Sequence, residues 1–135
     1  MEDRLNSYMT FAENDYLFFH QAYDSGNKGS ALAALGQSIC ERYLKHIISE
    51  FAQPETKEEI QDKEYILRTH SLRRLMRYIQ DTMGLVLPEK TEDAMDRIDG
   101  FYFTTRYPGS ESFIPSGRDI DKANEAVEAT REYVL

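Results

Sequence analysis

Arg42 and His46 stand four residues apart within the stretch Ser30–Phe51. On a helix that spacing makes them neighbours on one face. A histidine that moves a proton and an arginine that stabilises phosphorane charge are a minimal set for cleaving RNA without metal. The same stretch also reads as a central packing helix with a solvated polar face, where Glu41 and Lys45 form an i, i+4 ion pair. A second cluster, Tyr102, Arg106 and Tyr107, combines aromatic rings with a cation in the last turn of a helix. Arg106 suits the helix dipole there, and can pair with a carboxylate or hold a phosphate. His70 follows a capping residue, Thr69, and reads either as a structural histidine near a helix start or as a ligand-binding one. His20 falls at the edge of an apolar face and receives no role.

Other chemistries lack their residues. His20, His46 and His70 are the only histidines, with no zinc-like spacing, no HExxH and no cysteine pair. A di-iron bundle needs Glu-x-x-His on two helices, and none occurs. No metal or other cofactor is expected. Walker A and GxGxxG loops are missing. So is the glycine-serine loop with paired aspartates that a nucleotidyltransferase uses. Cys40, the single cysteine, allows no internal disulfide and reads as a small buried hydrophobe.

The net charge of −8 argues against a general affinity for nucleic-acid backbone. Arg68, Arg73, Arg74 and Arg77 nevertheless make a local basic patch. The N-terminus lacks a basic region followed by an apolar run, so no signal peptide is expected. No apolar run approaches the ~18 residues of a membrane span. These features predict a soluble, cytoplasmic protein.

At 135 residues the chain is expected to form one domain, 1–135. Residues 2–24 read as a first helix with Leu5, Met9, Ala12, Tyr16, Phe19 and Tyr23 as its stripe, widened by Phe18 and Ala22. The turn Asp24–Gly29 leads to the central helix, capped by Gly29 or Ser30. That helix buries Ala31–Leu35 and an arc of Cys40, Tyr43, Leu44, Ile47, Ile48 and Phe51. Pro54 ends it. Residues 55–64 read as a surface loop or a short exposed helix. A third helix runs from an N-cap at Thr69 to Met83-Gly84, and Leu85–Pro88 tucks into the core. A fourth, capped by Thr91, runs through Phe101 and Tyr102 to Arg106. Asp119 or Ser116 starts the last, with Ile120, Ala123, Val127, Thr130 and Val134 facing inward. The fold class is all-α, an up-and-down bundle of four main helices plus one shorter helix.

Three stretches together resemble the HEPN domain family. Gln37-Ser-Ile-Cys-Glu41-Arg42-Tyr-Leu44-Lys45 is similar to its Gln…Glu-Lys-x-Leu-Lys pattern. Thr69-His70-Ser-Leu72 is similar to its Thr-His-x-Leu, and Tyr102-x-x-x-Arg106-Tyr107-Pro108 to its Arg-Tyr-Pro. The resemblance spans roughly residues 5–134. It implies a helical bundle, commonly a homodimer, found in defence or toxin–antitoxin settings beside a separate nucleotidyltransferase-type protein. Many members are metal-independent ribonucleases that use Arg-x(4–6)-His, whereas others are thought to bind nucleotides. No histidine follows Arg106 here, and Arg42-x-x-x-His46 is one residue short. The leading expectation is therefore a non-catalytic partner module that holds a nucleotide or RNA phosphate near Arg106, Tyr107, His70, Lys45 and Tyr102. The alternative is an RNA-cleaving toxin using Arg106 and His70 from different helices or subunits.

Overall fold

Residues 7–26, 29, 31–101 and 116–135 are described by a computed structural model. They form six helices: α1 (Tyr8–Asp24), α2 (Ala31–Phe51), α3 (Lys57–Ile66), α4 (Leu72–Arg77), α5 (Glu89–Ile98) and α6 (Gly117–Val134). No strand occurs among the described residues. The expected all-α class stands, and α3 is the short exposed helix among the two readings of residues 55–64.

The hydrophobic centre is α2, which packs on α1, α4, α5 and α6. Its buried side chains point in every direction around the axis, as expected for a helix enclosed by neighbours. Close approach is set at Gly36. A Cβ there would lie 2.9 Å from the Ala123 Cβ and 3.3 Å from the Phe19 ring. The missing side chain lets α2 come down onto α1 and α6 together. Cys40 lies at the centre of this packing, fully buried, and burial pushes its thiol up to about 12. Phe51 departs from the expected arc. It is the last residue of α2, beyond the reach of the core, and is exposed.

Polar bonds fasten α1 across the bundle. The Glu13 carboxylate accepts from Arg131 Nε at 2.9 Å and Nη2 at 3.1 Å, and also from the Tyr43 hydroxyl. Tyr16 donates to Glu128 at 3.0 Å, with the Arg131 guanidinium 4.3 Å above its ring. Ser7 caps α1 by accepting from the Thr10 N–H. Phe18, expected to widen the buried stripe, is exposed with Phe11 and Leu17.

The acidic segment after Pro54 is helical. Thr56 accepts from the Glu59 N–H, and Glu59 reaches back to the Thr56 N–H, a capping box that nucleates α3 despite its scant apolar content. Lys63 returns to α2 and donates to the Ser49 and Ala52 carbonyls at 3.2 and 3.0 Å, satisfying the end of that helix.

Three other boundaries differ from expectation. Ser71, not Thr69, caps α4, and the helix passes into a π turn at Tyr78–Thr82. In the connection after it, only Leu87 is buried, while Leu85 and Val86 face outward. The fourth expected helix begins at Glu89, with Thr91 buried inside it, and breaks after Ile98. Asp99 is extended there and Gly100 takes φ +99°, a left-handed conformation that interrupts the run toward Arg106. Both expected starts of the last helix take part: the Ser116 N–H donates to Asp119, closing a capping box.

Candidate functional site

Glu41, Lys45 and His70 meet where α2 faces the connection between α3 and α4. Glu41 and Lys45 lie one turn apart on α2 and are both buried. Lys45 Nζ is 3.4 Å from Glu41 Oε2, and His70 Nδ1 is 3.1 Å from the same oxygen and 3.3 Å from Oε1. An ionised carboxylate removed from water is costly without compensation, and Glu41 has both a cation and an imidazole donor. An ionised carboxylate oxygen can only accept, so this contact fits the tautomer that places the proton on Nδ1 of His70. The His70 side chain keeps 39% of its accessible surface, so this ring is held from inside while facing outward.

The backbone around His70 is fixed from two directions. Gln37, fully buried one turn before Glu41, donates from Nε2 to the His70 carbonyl at 2.7 Å. Asp99, just past α5, accepts from the Leu72 N–H at 2.8 Å and the Arg73 N–H at 3.2 Å. That carboxylate satisfies the first turn of α4, where backbone donors have no helical partner. Ser71 adds its own cap by accepting from the Arg74 N–H. Three elements therefore define the position of one imidazole: α2 through Gln37 and Glu41, α5 through Asp99, and α4 through its start.

Among the sequence-predicted site residues, Lys45 and His70 come together, with Glu41 between them. Lys45 is part of the interior ion pair rather than an open cation. Tyr102, Arg106 and Tyr107 lie outside the described residues. Asp99 stands three residues before Tyr102 in the chain. Arg42 and His46 take separate partners: Arg42 bonds Asp15 of α1, and His46 meets the edge of the Phe51 ring with centroids 6.4 Å apart. His20 lies 3.0 Å from Asp24 and 3.4 Å from Glu128. The face opposite the apolar arc of α2 is thus not solvated as expected, because Glu41 and Lys45 fall inside the bundle.

Asp99 and the joining role of Glu41 are absent from the sequence-predicted set. The i, i+4 pairing of Glu41 with Lys45 signalled a local contact, but nothing local indicates that His70 completes it. An aspartate before glycine marks a helix end, not the start of a different helix. Among the described residues, no group of three or more His, Cys, Asp or Glu side chains is placed to hold a metal ion. No helix there is long and apolar enough to cross a membrane.

A family model for the HEPN domain matches residues 60–134, more than half of the chain. The chain belongs to the HEPN domain family. The match takes in His70, α4, α5 and α6, while Gln37, Glu41 and Lys45 precede it. No curated protein and no solved structure gives a match.

Proposed function

We propose that this HEPN chain is a non-catalytic binding and partner module that holds a nucleotide or RNA phosphate near His70, with Arg106 supplying charge and Tyr102 and Tyr107 supplying rings. The observation that carries the reading is the Glu41–His70 contact. A buried carboxylate orients a partly exposed imidazole, Gln37 holds the His70 carbonyl, and Asp99 fixes the start of α4 just after it. Such preorganisation lowers the entropy cost of holding a ligand. Lys45 contributes through its contact with Glu41 rather than by reaching the ligand. Against catalysis stands the sequence itself, in which no histidine follows Arg106 and the nearest substitute, Arg42 with His46, has its members engaged apart.

In this reading residues 1–135 form one domain, with α1, α2, α5 and α6 as the up-and-down bundle and α3 and α4 as shorter additions. The protein acts in the cytoplasm as a homodimer, paired with a nucleotidyltransferase-type protein in a toxin–antitoxin or defence setting. The exposed Phe11, Leu17 and Phe18 of α1 supply apolar surface for association.

A second reading draws on the same contact. A carboxylate that fixes the proton on Nδ1 is also how a general-base histidine is oriented. His70 with Arg106, from one subunit or two, would then cleave RNA without metal. Incubating the protein with RNA in EDTA separates the two. The module reading expects intact RNA; cleavage that disappears in His70→Ala and Arg106→Ala establishes the ribonuclease instead.

A further inference from the structure

Between Glu64 and Asp81 the sequence holds Arg68, Arg73, Arg74 and Arg77 and no acidic residue. In a chain of net charge −8 this is a local reversal of sign. Arg73 is partly neutralised, its Nε 3.4 Å from Asp96. Arg68, Arg74 and Arg77 are exposed, and among the described residues none forms a salt bridge. Arg74 and Arg77 are three apart on α4, so they project side by side.

These two arginines border a shallow groove of about 480 Å³ between α3 and α4. Tyr65 on the α3 side and Tyr78 at the start of the π turn line the same groove, as does Asp81. Tyr65 is 66% exposed, so its ring is accessible from the groove. Tyr78 is half-buried, and burial raises its hydroxyl, with Asp62 nearby acting in the same direction. The ring thus remains a neutral stacking surface. π turns inside helices recur at functional positions because they break the regular register of side chains.

Paired guanidinium groups beside two aromatic rings match a chain that alternates phosphates with planar bases. A duplex hides its bases and offers only phosphate. A lipid headgroup gives no use for stacking rings. We propose that the α3–α4 groove of Tyr65, Arg74, Arg77 and Tyr78 is a second site that binds single-stranded polynucleotide, the arginines taking successive phosphates and Tyr65 stacking on a base. The proposal rests on the reading that this chain handles nucleotide or RNA phosphate, and extends it from one phosphate beside His70 to a strand passing along α4.

The test is fluorescence anisotropy with a short fluorescein-labelled oligouridylate across a salt series. Calorimetry with ADP on the same proteins reports the His70 site separately. Arg74→Glu/Arg77→Glu weakens oligonucleotide binding by about tenfold or more and reduces the salt slope by about 1.4, the loss of two single-strand phosphate contacts. Arg74→Gln/Arg77→Gln shows the same change in slope, which guards against a folding effect of the reversed charges. Tyr65→Ala weakens binding by a few-fold and leaves the slope unchanged. ADP binding is unaffected in all three. The proposal is overturned if the arginine variants bind the oligonucleotide like the wild type, or if Tyr65→Ala has no effect. It is also overturned if duplex RNA of the same length binds as tightly as the single strand. ADP binding with no oligonucleotide binding rejects the groove alone. Oligonucleotide binding that depends on Arg74 and Arg77 without any ADP binding rejects the His70 site alone.

Discussion

The carboxylate of Glu41 lies 3.1 Å from Nδ1 of His70 while also facing Lys45 Nζ at 3.4 Å, so one buried anion serves both an interior cation and a ring that faces solvent. Its two bonds have different consequences. The bond to Lys45 concerns stability, since neither charge has water to fall back on. The bond to His70 concerns orientation, since that side chain keeps 39% of its accessible surface.

Removing the anion alone should therefore be costly. Glu41→Ala leaves the Lys45 ammonium buried without its partner and is expected to lose about 3–5 kcal/mol. Replacing both with apolar residues of similar size, Glu41→Leu with Lys45→Met, should leave stability within about 1 kcal/mol of the wild type, because no charge is stranded. Urea unfolding of the two variants checks this. Equal destabilisation by the single and double changes would show that packing, not charge, explains the loss.

Gly36 offers a test of the bundle itself. In an exposed helix, Gly→Ala gains about 1 kcal/mol from propensity. Here the new Cβ would fall 2.9 Å from the Ala123 Cβ, which cannot swing aside because it hangs directly from the α6 backbone. Gly36→Ala should instead destabilise by about 1–3 kcal/mol. Ala123→Gly in the same chain should restore part of that loss. Thermal or urea unfolding of the single and double variants reads both effects.

The pair across α1 and α6 makes stability depend on pH. Hydrogen bonding from Arg131 holds the Glu13 carboxyl below the ordinary glutamate range, against a smaller opposing effect of burial. The folded chain thus binds fewer protons at this position than the unfolded one. The stabilisation is complete above the ordinary value of about 4.3 and is lost as pH falls through the lowered native value. Because both side chains are about one-third exposed, solvent screening keeps its size near 1 kcal/mol at neutral pH. Wild type and Glu13→Gln should therefore differ in urea midpoint at pH 7 and converge in strong acid. A gap that stays constant with pH would contradict the linkage.

The sequence exposes the parts of this fold that obey local rules. The inner stripes of α1 and α6, the enclosed character of α2 and the burial of Cys40 follow from periodicity and side-chain type. So does the start of α6 at Ser116 or Asp119, which the structure joins in one capping box. Residues 55–64 read as either a loop or a short exposed helix, because their charged content gives no apolar stripe to decide, and the Thr56/Glu59 capping box is what decides it. Gln37, Glu41 and His70 are legible only as family motifs, since three- and four-residue spacing on α2 cannot report a side chain arriving from another element. Asp99 is the clearest case. Its carboxylate caps α4 from α5, a relationship of chain path that no local pattern encodes. The break at Asp99-Gly100 was similarly hidden by apolar residues that continue the helical spacing through Phe101.

The central claim is that the ring held by Glu41 helps to bind a phosphate-bearing nucleotide rather than to cut RNA. Isothermal titration calorimetry with ADP in EDTA tests it most directly, on the wild type, His70→Ala and Arg106→Ala. The account predicts saturable binding by the wild type at one site per chain and its loss in both variants, with folding intact by circular dichroism. Absence of saturable heat in the wild type, or binding that His70→Ala leaves unchanged, would contradict it.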